Sequence, residues 1–337
     1  MNEKRNQSFR ELSTFRVGGN AKRVLYPETP HECVEVLQTL LEEKSEYLIL
    51  GGGSNILPSD EDYTGVVVVP TFTNVEYTKS NDATVEVVAD AGVVWDTLVF
   101  ETVQKNLWGL ENLSGIPGLV GASPIQNIGA YGTDVSKTIQ WVEVYDTHTK
   151  KISVLSNAGL CFGYRTSRLK KERGRFVVLR VCFALSLTEC PNVSYKDVQA
   201  HFSNTKETPS LSAIREAVLQ IRATKFPDLH IYGTAGSFFT NPIVSKKEAE
   251  RILALFPEAV HFPEGEEVKF SLAWLLDNVL HVKGMREGGA MVWHAQPLVL
   301  VAEKNATAKE VHALAKKIIA LVKENVGIEI VPEVFIL

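Results

Sequence analysis

Nineteen residues, Ser114–Gly132, limit what this chain can form more than any other stretch. They read Ser-Gly-Ile-Pro-Gly-Leu-Val-Gly-Ala-Ser-Pro-Ile-Gln-Asn-Ile-Gly-Ala-Tyr-Gly, with glycine at 115, 118, 121, 129 and 132 and proline at 117 and 124. Glycine permits positive φ and close backbone approach, whereas proline freezes φ and withholds a donor. Such a segment suits a rigid wall of backbone whose N–H groups face an anion such as a pyrophosphate. A tight loop with a short helical turn is the plainer reading of the same residues. The Rossmann G-x-G-x-x-G spacing and the Walker lysine are both missing from it.

Two further stretches are of the same kind. Tyr47–Leu50 reads as a short buried strand, and Gly51-Gly52-Gly53-Ser54-Asn55 follows it directly. Three glycines after a strand allow a turn whose amides wrap a phosphate. Thr14-Phe15-Arg16-Val17-Gly18-Gly19-Asn20-Ala21 lies nearer the start. A length of 337 residues implies two or three domains, and 45% hydrophobic with 22% charged residues is ordinary for a globular protein. A net charge of −5 argues against a general nucleic-acid binder. Cys33, Cys161, Cys182 and Cys190 show no metal-ligand spacing, and the first three sit in apolar company, so reduced core thiols and no metal are expected. No apolar run suggests a leader or a membrane span, so the expected location is the cytoplasm.

Periodicity supplies the frame. Thr29-Pro30-His31-Glu32 reads as a capping box ahead of Cys33, Val36, Leu37, Leu40 and Leu41 on one helical face. Val66–Val69 and Thr84–Val88 read as strands, as do residues around Val142 and Val144, Lys151–Leu155 and Phe176–Phe183. A helix is expected over about Ser212–Thr224, with Ile214, Ala217, Val218 and Ile221 inward and Pro227 beyond its end. Ser245-Lys246-Lys247-Glu248 and Thr307-Ala308-Lys309-Glu310 read as capping boxes of later helices, Leu272–Leu276 begins another, and Ile328–Leu337 is extended.

Three residues stand out chemically. Ser237, in Gly-Thr-Ala-Gly-Ser-Phe-Phe-Thr-Asn-Pro, has small residues before it and Phe238-Phe239 behind it, as for a nucleophile, a proton donor or a turn serine. No nucleophile elbow surrounds it, so acyl transfer is poorly supported. Arg165, in Phe-Gly-Tyr-Arg-Thr-Ser, offers a planar fork for a carboxylate or a developing enolate. Arg168 to Arg175 reads as a solvated basic turn. Glu333, in Val-Pro-Glu-Val, is a carboxylate set among apolar neighbours, or an exposed edge-strand glutamate.

Taken in order, these motifs resemble the UDP-N-acetylenolpyruvoylglucosamine reductase family over about Thr14 to Glu333. The resemblance implies an α+β fold: an FAD-binding pair of subdomains of the vanillyl-alcohol-oxidase type at 1–70 and 71–225, then a smaller substrate domain at 226–337. It places FAD against Arg16, Gly51, Gly52, Gly53, Ser54, Asn55, Ser114, Gly115, Ile116, Pro117, Gly118, Gly121, Ala122, Gln126, Asn127, Gly129 and Ala130. It makes Ser237 the proton donor, Arg165 the group that polarises the substrate carboxylate, and Glu333 the acid that assists. Tyr164, Tyr195, Lys225, Asn241 and Gln296 would bind substrate, with Tyr195 on the closing loop of one subtype and Lys225 in Arg-Ala-Thr-Lys-Phe-Pro. Departures from the family pattern are Ser13 and Thr234, where asparagine is common, and Phe335, where a basic residue is frequent.

The implied reaction reduces the enolpyruvyl ether of UDP-N-acetylglucosamine to the lactyl ether, with hydride passing from NADPH to FAD and then to the terminal vinyl carbon. Such an enzyme needs no nucleic acid, membrane or metal, and a monomer is expected. The alternatives are another flavin oxidoreductase of that fold, acting on a hydroxy acid or sugar lactone, and a noncatalytic sugar-nucleotide binder. Neither requires Arg165, Ser237 and Glu333 together.

Overall fold

A computed structural model describes residues 1–205 and 207–337. It forms two compact units, neither contiguous in sequence. The first comprises Met1–Gln7, Ala21–Gly52 and Thr64–Arg222, and the second Ser8–Asn20, Gly53–Tyr63 and Ala223–Leu337. The division expected at residues 70 and 225 is linear, whereas two short N-terminal stretches belong with the C-terminal unit. They carry Phe15, Val17 and Leu57 into its core, and Ile56–Leu57 pairs in parallel with Phe335–Ile336. Pairing across nearly 280 residues of chain leaves no local trace in composition.

In the first unit, a four-stranded sheet runs in the order Asn2–Ser8, Asn20–Tyr26, Tyr63–Val68, Tyr47–Ile49, the last two parallel. Helix Pro30–Glu42 starts where Thr29 accepts from the Glu32 amide, and it buries Cys33, Val36, Leu37 and Leu40. Its capping box is only half formed. The Glu32 carboxylate accepts instead from the Glu28 amide at 2.8 Å and the Met1 ammonium at 3.1 Å. A five-stranded antiparallel sheet follows, ordered Lys151–Ser156, Ile139–Asp146, Phe176–Ser186, Thr84–Asp90, Val75–Lys79. Arg180, in the middle of its longest strand, is accommodated by a two-pronged bond to Glu143 on the neighbouring strand, at 2.9 and 2.8 Å.

Cys33 and Cys182 are buried, and burial pushes both thiols up to about 12. Cys161 is not in the core, contrary to its apolar company in sequence. It sits at φ 47° in the left-handed cap of the short helix Asn157–Leu160, which turns it outward, and it is exposed.

Asp146 ends the second strand of this sheet and holds the turn after it. It accepts from Arg175 at 3.2 and 2.9 Å and from the His148 amide at 2.9 Å. Hydrogen bonds from Arg175 depress its carboxyl to about 2, against a partial opposing effect of burial. A carboxyl lowered on folding adds stability that is complete above its unfolded value near pH 4 and is lost as pH falls through the folded one. Arg175→Met is therefore expected to lower Tm at pH 7, and by progressively less as pH falls from about 4 toward 2. A Tm deficit independent of pH over that window would show that Arg175 acts by packing alone.

The second unit has an antiparallel sheet, Ile243–Ser245, Glu267–Phe270, His261–Glu264, and another of Arg286–Glu287, Ala290–Val292, Leu300–Ala302. Helix Ala308–Val326 has a complete capping box between Thr307 and Glu310 and stops at Gly327, whose φ of 76° suits a residue without Cβ. Its buried stripe is Val311, Leu314, Ala315, Ile318 and Val322, as the spacing predicts. The helix begun at Leu272 passes into a π turn over Leu275–Val279. Among the described residues no helix is long and apolar enough to cross a membrane.

Candidate active site

The first unit brings the two glycine-rich segments face to face. A Cβ on Gly52 would lie 3.0 Å from the Gly118 Cα, and one on Gly51 would touch Ala122 and Leu119. Much of the wall's hydrogen bonding is internal: the amides of Val120 and Gly121 donate to Val93 and Ala91, and that of Ala122 to Leu119. Gly115 donates to Asp96 Oδ1 at 2.6 Å. Among the described residues, the amides of Gly51, Gly52, Ile116, Gly118 and Leu119 meet no protein acceptor. N–H groups without acceptors, on two facing glycine-rich loops, are the chemistry a pyrophosphate requires.

The side chains of two residues expected at the cofactor make hydrogen bonds within the protein. Ser114 is fully buried and its hydroxyl donates to the Glu111 carbonyl at 2.6 Å. Asn127 is buried, donates to the Gly163 carbonyl at 3.1 Å and accepts from the Ser136 amide at 3.1 Å. Pro117 is exposed, Gln126 is half-buried, and Gly129-Ala130 forms a short ladder with Thr133-Asp134.

Asn127 instead fixes the arginine. Gly163 and Thr166 exchange backbone bonds of 3.0 and 3.2 Å, so Tyr164 and Arg165 form the tip of a tight turn. Arg165 adopts φ 51°, unusual for a side-chain-bearing residue. Its guanidinium donates to the Gly129 carbonyl at 2.6 Å and lies 5.6 Å from the Tyr164 ring centroid. Ser167 anchors the turn's far side through Ile125 at 2.6 Å. A permanent cation is thus held against the wall.

Tyr195, 40% exposed, lies edge-on to Tyr131 of the wall at 5.4 Å. Asn112 bridges the Tyr131 and Asn192 carbonyls at 3.0 and 2.8 Å, tethering the tyrosine loop. Tyr131 has its hydroxyl pushed up to about 12 by burial. Arg222 reads in sequence as a basic residue near a helix end and as the first residue of the Arg-Ala-Thr-Lys-Phe-Pro segment, with no role of its own expected. In the structure burial lowers its pKa, opposed by the adjoining Tyr131, and a Cβ on Gly115 would lie 3.1 Å from its Nε. Spacing could have shown it, since Arg215, Leu219 and Arg222 share one helical face.

In the second unit, residues 233–239 thread between two extended partners. Gly233 exchanges bonds with Ala302 at 2.9 and 2.8 Å, Ser237 bridges to Val299, and Phe239 to Pro332. Gly233 is obligatory, because its Cβ would fall 1.8 Å from the Phe15 carbonyl oxygen. Thr234 donates to the Leu300 carbonyl at 2.7 Å and accepts from the Gly236 amide at 3.2 Å, so a threonine serves at this position. The Glu333 amide donates to the Phe238 carbonyl at 2.8 Å, which sets Glu333 beside the segment that carries Ser237. Phe238 and Phe239 are buried and make edge contacts with each other and with Phe15.

Gly53 has φ +59° and leaves no room for a Cβ, which would lie 2.0 Å from the Leu12 carbonyl oxygen. Asn55 Nδ2 donates to the Glu333 carbonyl at 3.3 Å, and Ser54 lies half-buried between them. Asn241 accepts from the Leu272 amide at 3.0 Å, and Gln296 from the Leu298 amide at 3.4 Å. Lys225 is the last residue of helix Leu211–Lys225. The exposed Arg16 donates to the His230 carbonyl at 3.1 Å.

Residues 21–153 match the family described as FAD binding domain, and residues 228–337 match UDP-N-acetylenolpyruvoylglucosamine reductase, C-terminal domain. The amides without acceptors in the first unit fit such a cofactor's pyrophosphate. The reductase of Escherichia coli K12 is 38% identical over 331 residues, 98% of this chain and 95% of that protein. The one from Neisseria meningitidis serogroup B is 38% identical over 306 residues, 90% of this chain and 88% of its own length. The crystal structure of the reductase (MurB) from Thermus caldophilus shares the fold, with a TM-score of 0.68 at 24% identity, covering 99% of this chain and 98% of that one. With a relative at this identity matched along nearly its whole length, the chain belongs to the UDP-N-acetylenolpyruvoylglucosamine reductase family.

Proposed function

We propose that this protein reduces the enolpyruvyl ether of UDP-N-acetylglucosamine to UDP-N-acetylmuramate, with FAD as cofactor and NADPH as reductant. The observation that carries this reading is the 38% identity to a reductase of that name over 98% of the chain. The Arg165, Ser237 and Glu333 motifs occur within the matched length.

The amides of Gly51, Gly52, Ile116, Gly118 and Leu119 would hold the FAD pyrophosphate, and the bound flavin, once reduced, would supply the hydride. Arg165 pairs with the substrate carboxylate and lowers the energy of the enolate that develops when hydride reaches the vinyl carbon. Ser237 gives its hydroxyl proton to the carbon that bears the carboxylate, completing the lactyl group. Glu333 assists as an acid or donor to the same enolate. Serine is a feeble acid, so its proton moves only toward a strongly basic carbon, which suits this step and few others. Tyr164, Tyr195, Lys225, Asn241 and Gln296 bind the sugar nucleotide. The reading includes a monomeric, cytoplasmic enzyme of peptidoglycan precursor synthesis, with the lack of a membrane-crossing helix among the described residues in support.

Proton NMR of a turnover mixture tests the reaction. The vinyl signals should disappear as one lactyl methyl group grows, with one NADPH oxidised per product. NADPH oxidation with the vinyl signals unchanged would overturn the reading in favour of another acceptor.

A further inference from the structure

We propose that Asp96 and Arg215 are positioning residues for FAD, a clamp that fixes the Gly115 end of the amide cradle. The inference rests on the reading of that wall as the cofactor site.

Asp96 lies in the first turn of helix Trp95–Gln104, and that turn is built into the wall. The Trp95 amide donates to the Gly118 carbonyl at 3.0 Å, and its indole donates to the Leu113 carbonyl at 2.9 Å. Asp96 Oδ1 accepts from the Gly115 amide at 2.6 Å and from Arg215 at 2.7 Å, and Oδ2 accepts from Arg215 at 2.8 Å. Arg215 is 12% exposed at its side chain and lies 5.5 Å from the Phe100 ring centroid. Burial would raise the Asp96 carboxyl, but bonds from Arg215 and Gly115, with the charges of Arg215 and Arg222, hold it below the usual range. The carboxylate is therefore charged and engaged at both oxygens.

Gly115 stands at φ +70°, where the chain changes direction, and Leu219 and Arg222 close over it. The acceptor-free amides of Ile116, Gly118 and Leu119 follow within four residues. Their direction depends on Gly115, and donors already aimed at a ligand need not be ordered when it binds. Neither acidic nor basic side chain has to touch FAD to act in this way. Loss of the clamp should thus appear first as weaker binding of FAD.

The test is titration of FAD into flavin-stripped full-length protein, read by flavin fluorescence, with unfolding of the stripped protein followed in parallel. Asp96→Ala should weaken FAD binding at least about tenfold. Asp96→Asn, which keeps an oxygen for the Gly115 amide, should stay within about threefold of wild type. Arg215→Met should lose at least about fivefold, and the double variant D96A/R215M no more than D96A, because the pair acts as one unit. A clamp of purely structural effect would instead make affinity follow the Tm of the stripped protein, with D96N no rescue. Gly51→Val serves as a control on the cradle, since its Cβ meets only Ala122 and Leu119 at ordinary contact distance. If Gly51→Val loses FAD while D96A binds within about twofold of wild type, the clamp is refuted and the cradle stands. If both bind FAD normally, the cradle assignment falls and the clamp with it. Should D96A fail to fold, R215M decides, and binding within about twofold of wild type refutes the clamp.

Discussion

Replacing Ser237 by alanine should leave reduction of the flavin by NADPH within about threefold of wild type and slow its reoxidation by the enolpyruvyl substrate roughly 10²–10⁴-fold. The first half-reaction moves hydride only, and no proton donor to carbon is needed. The second half-reaction needs both. A loss of that size corresponds to about 3–5.5 kcal/mol of barrier. The substitution is also mild for the fold. Ser237 is bridged to Val299 through its backbone, and its neighbours Phe238 and Phe239 anchor the segment, so removing one oxygen leaves those contacts in place. Normal reoxidation in this variant would end the assignment of Ser237 as proton donor. Equal slowing of both half-reactions would point to a displaced flavin.

The second large effect is expected at Arg165. Arg165→Met should lower kcat by roughly 10²–10³ with a smaller rise in KM, because the enolate is more basic than the ground-state carboxylate and gains more from the cation. Arg165→Lys should recover only part. A guanidinium presents a planar fork of N–H donors that can serve more than one acceptor at once, and here one of them reaches the Gly129 carbonyl at 2.6 Å. An ammonium at the same backbone position presents a single point charge and loses that division of labour. A purely KM effect in Arg165→Met would show that the arginine binds the substrate uniformly and takes no part in stabilising the enolate.

Much of the fold was legible where one local rule governed it. The helix at 308–326 combined a capping box, a periodic apolar stripe and a terminal glycine, and all three are present. Strands were legible as apolar or alternating runs, although Thr84–Asp90 and Phe176–Ser186 each run beyond their expected ends because cross-strand pairing continues past the apolar run. The half-formed box at Thr29 shows the limit of spacing, since Glu32 had two competing donors, one of them the chain's own N-terminus. The assignment of residues 8–20 and 53–63 to the C-terminal unit was not legible, because it depends on packing at a great distance in sequence.

The site divides in the same way. The family resemblance rested on Thr14–Ala21, Gly51–Asn55, Ser114–Gly132, Arg165, Ser237 and Glu333, and the family matches bear it out. Glycine-rich motifs read well because excluded Cβ positions leave a compositional mark, as at Gly52, Gly53 and Gly233. Side chains that turn inward read poorly. Ser114 and Asn127 are polar and lie within the motif, yet their bonds run to Glu111, Gly163 and Ser136. Asp96 and Arg215, separated by 119 positions, carry no signal until the fold brings them together.

The central claim is a two-step transfer of reducing equivalents from NADPH through bound FAD to the enolpyruvyl sugar nucleotide. Anaerobic absorbance of the purified holoenzyme tests it most directly. NADPH should bleach the flavin, and the sugar nucleotide should then restore its colour promptly, without oxygen. A flavin that bleaches and stays reduced when the sugar nucleotide is added would contradict the account.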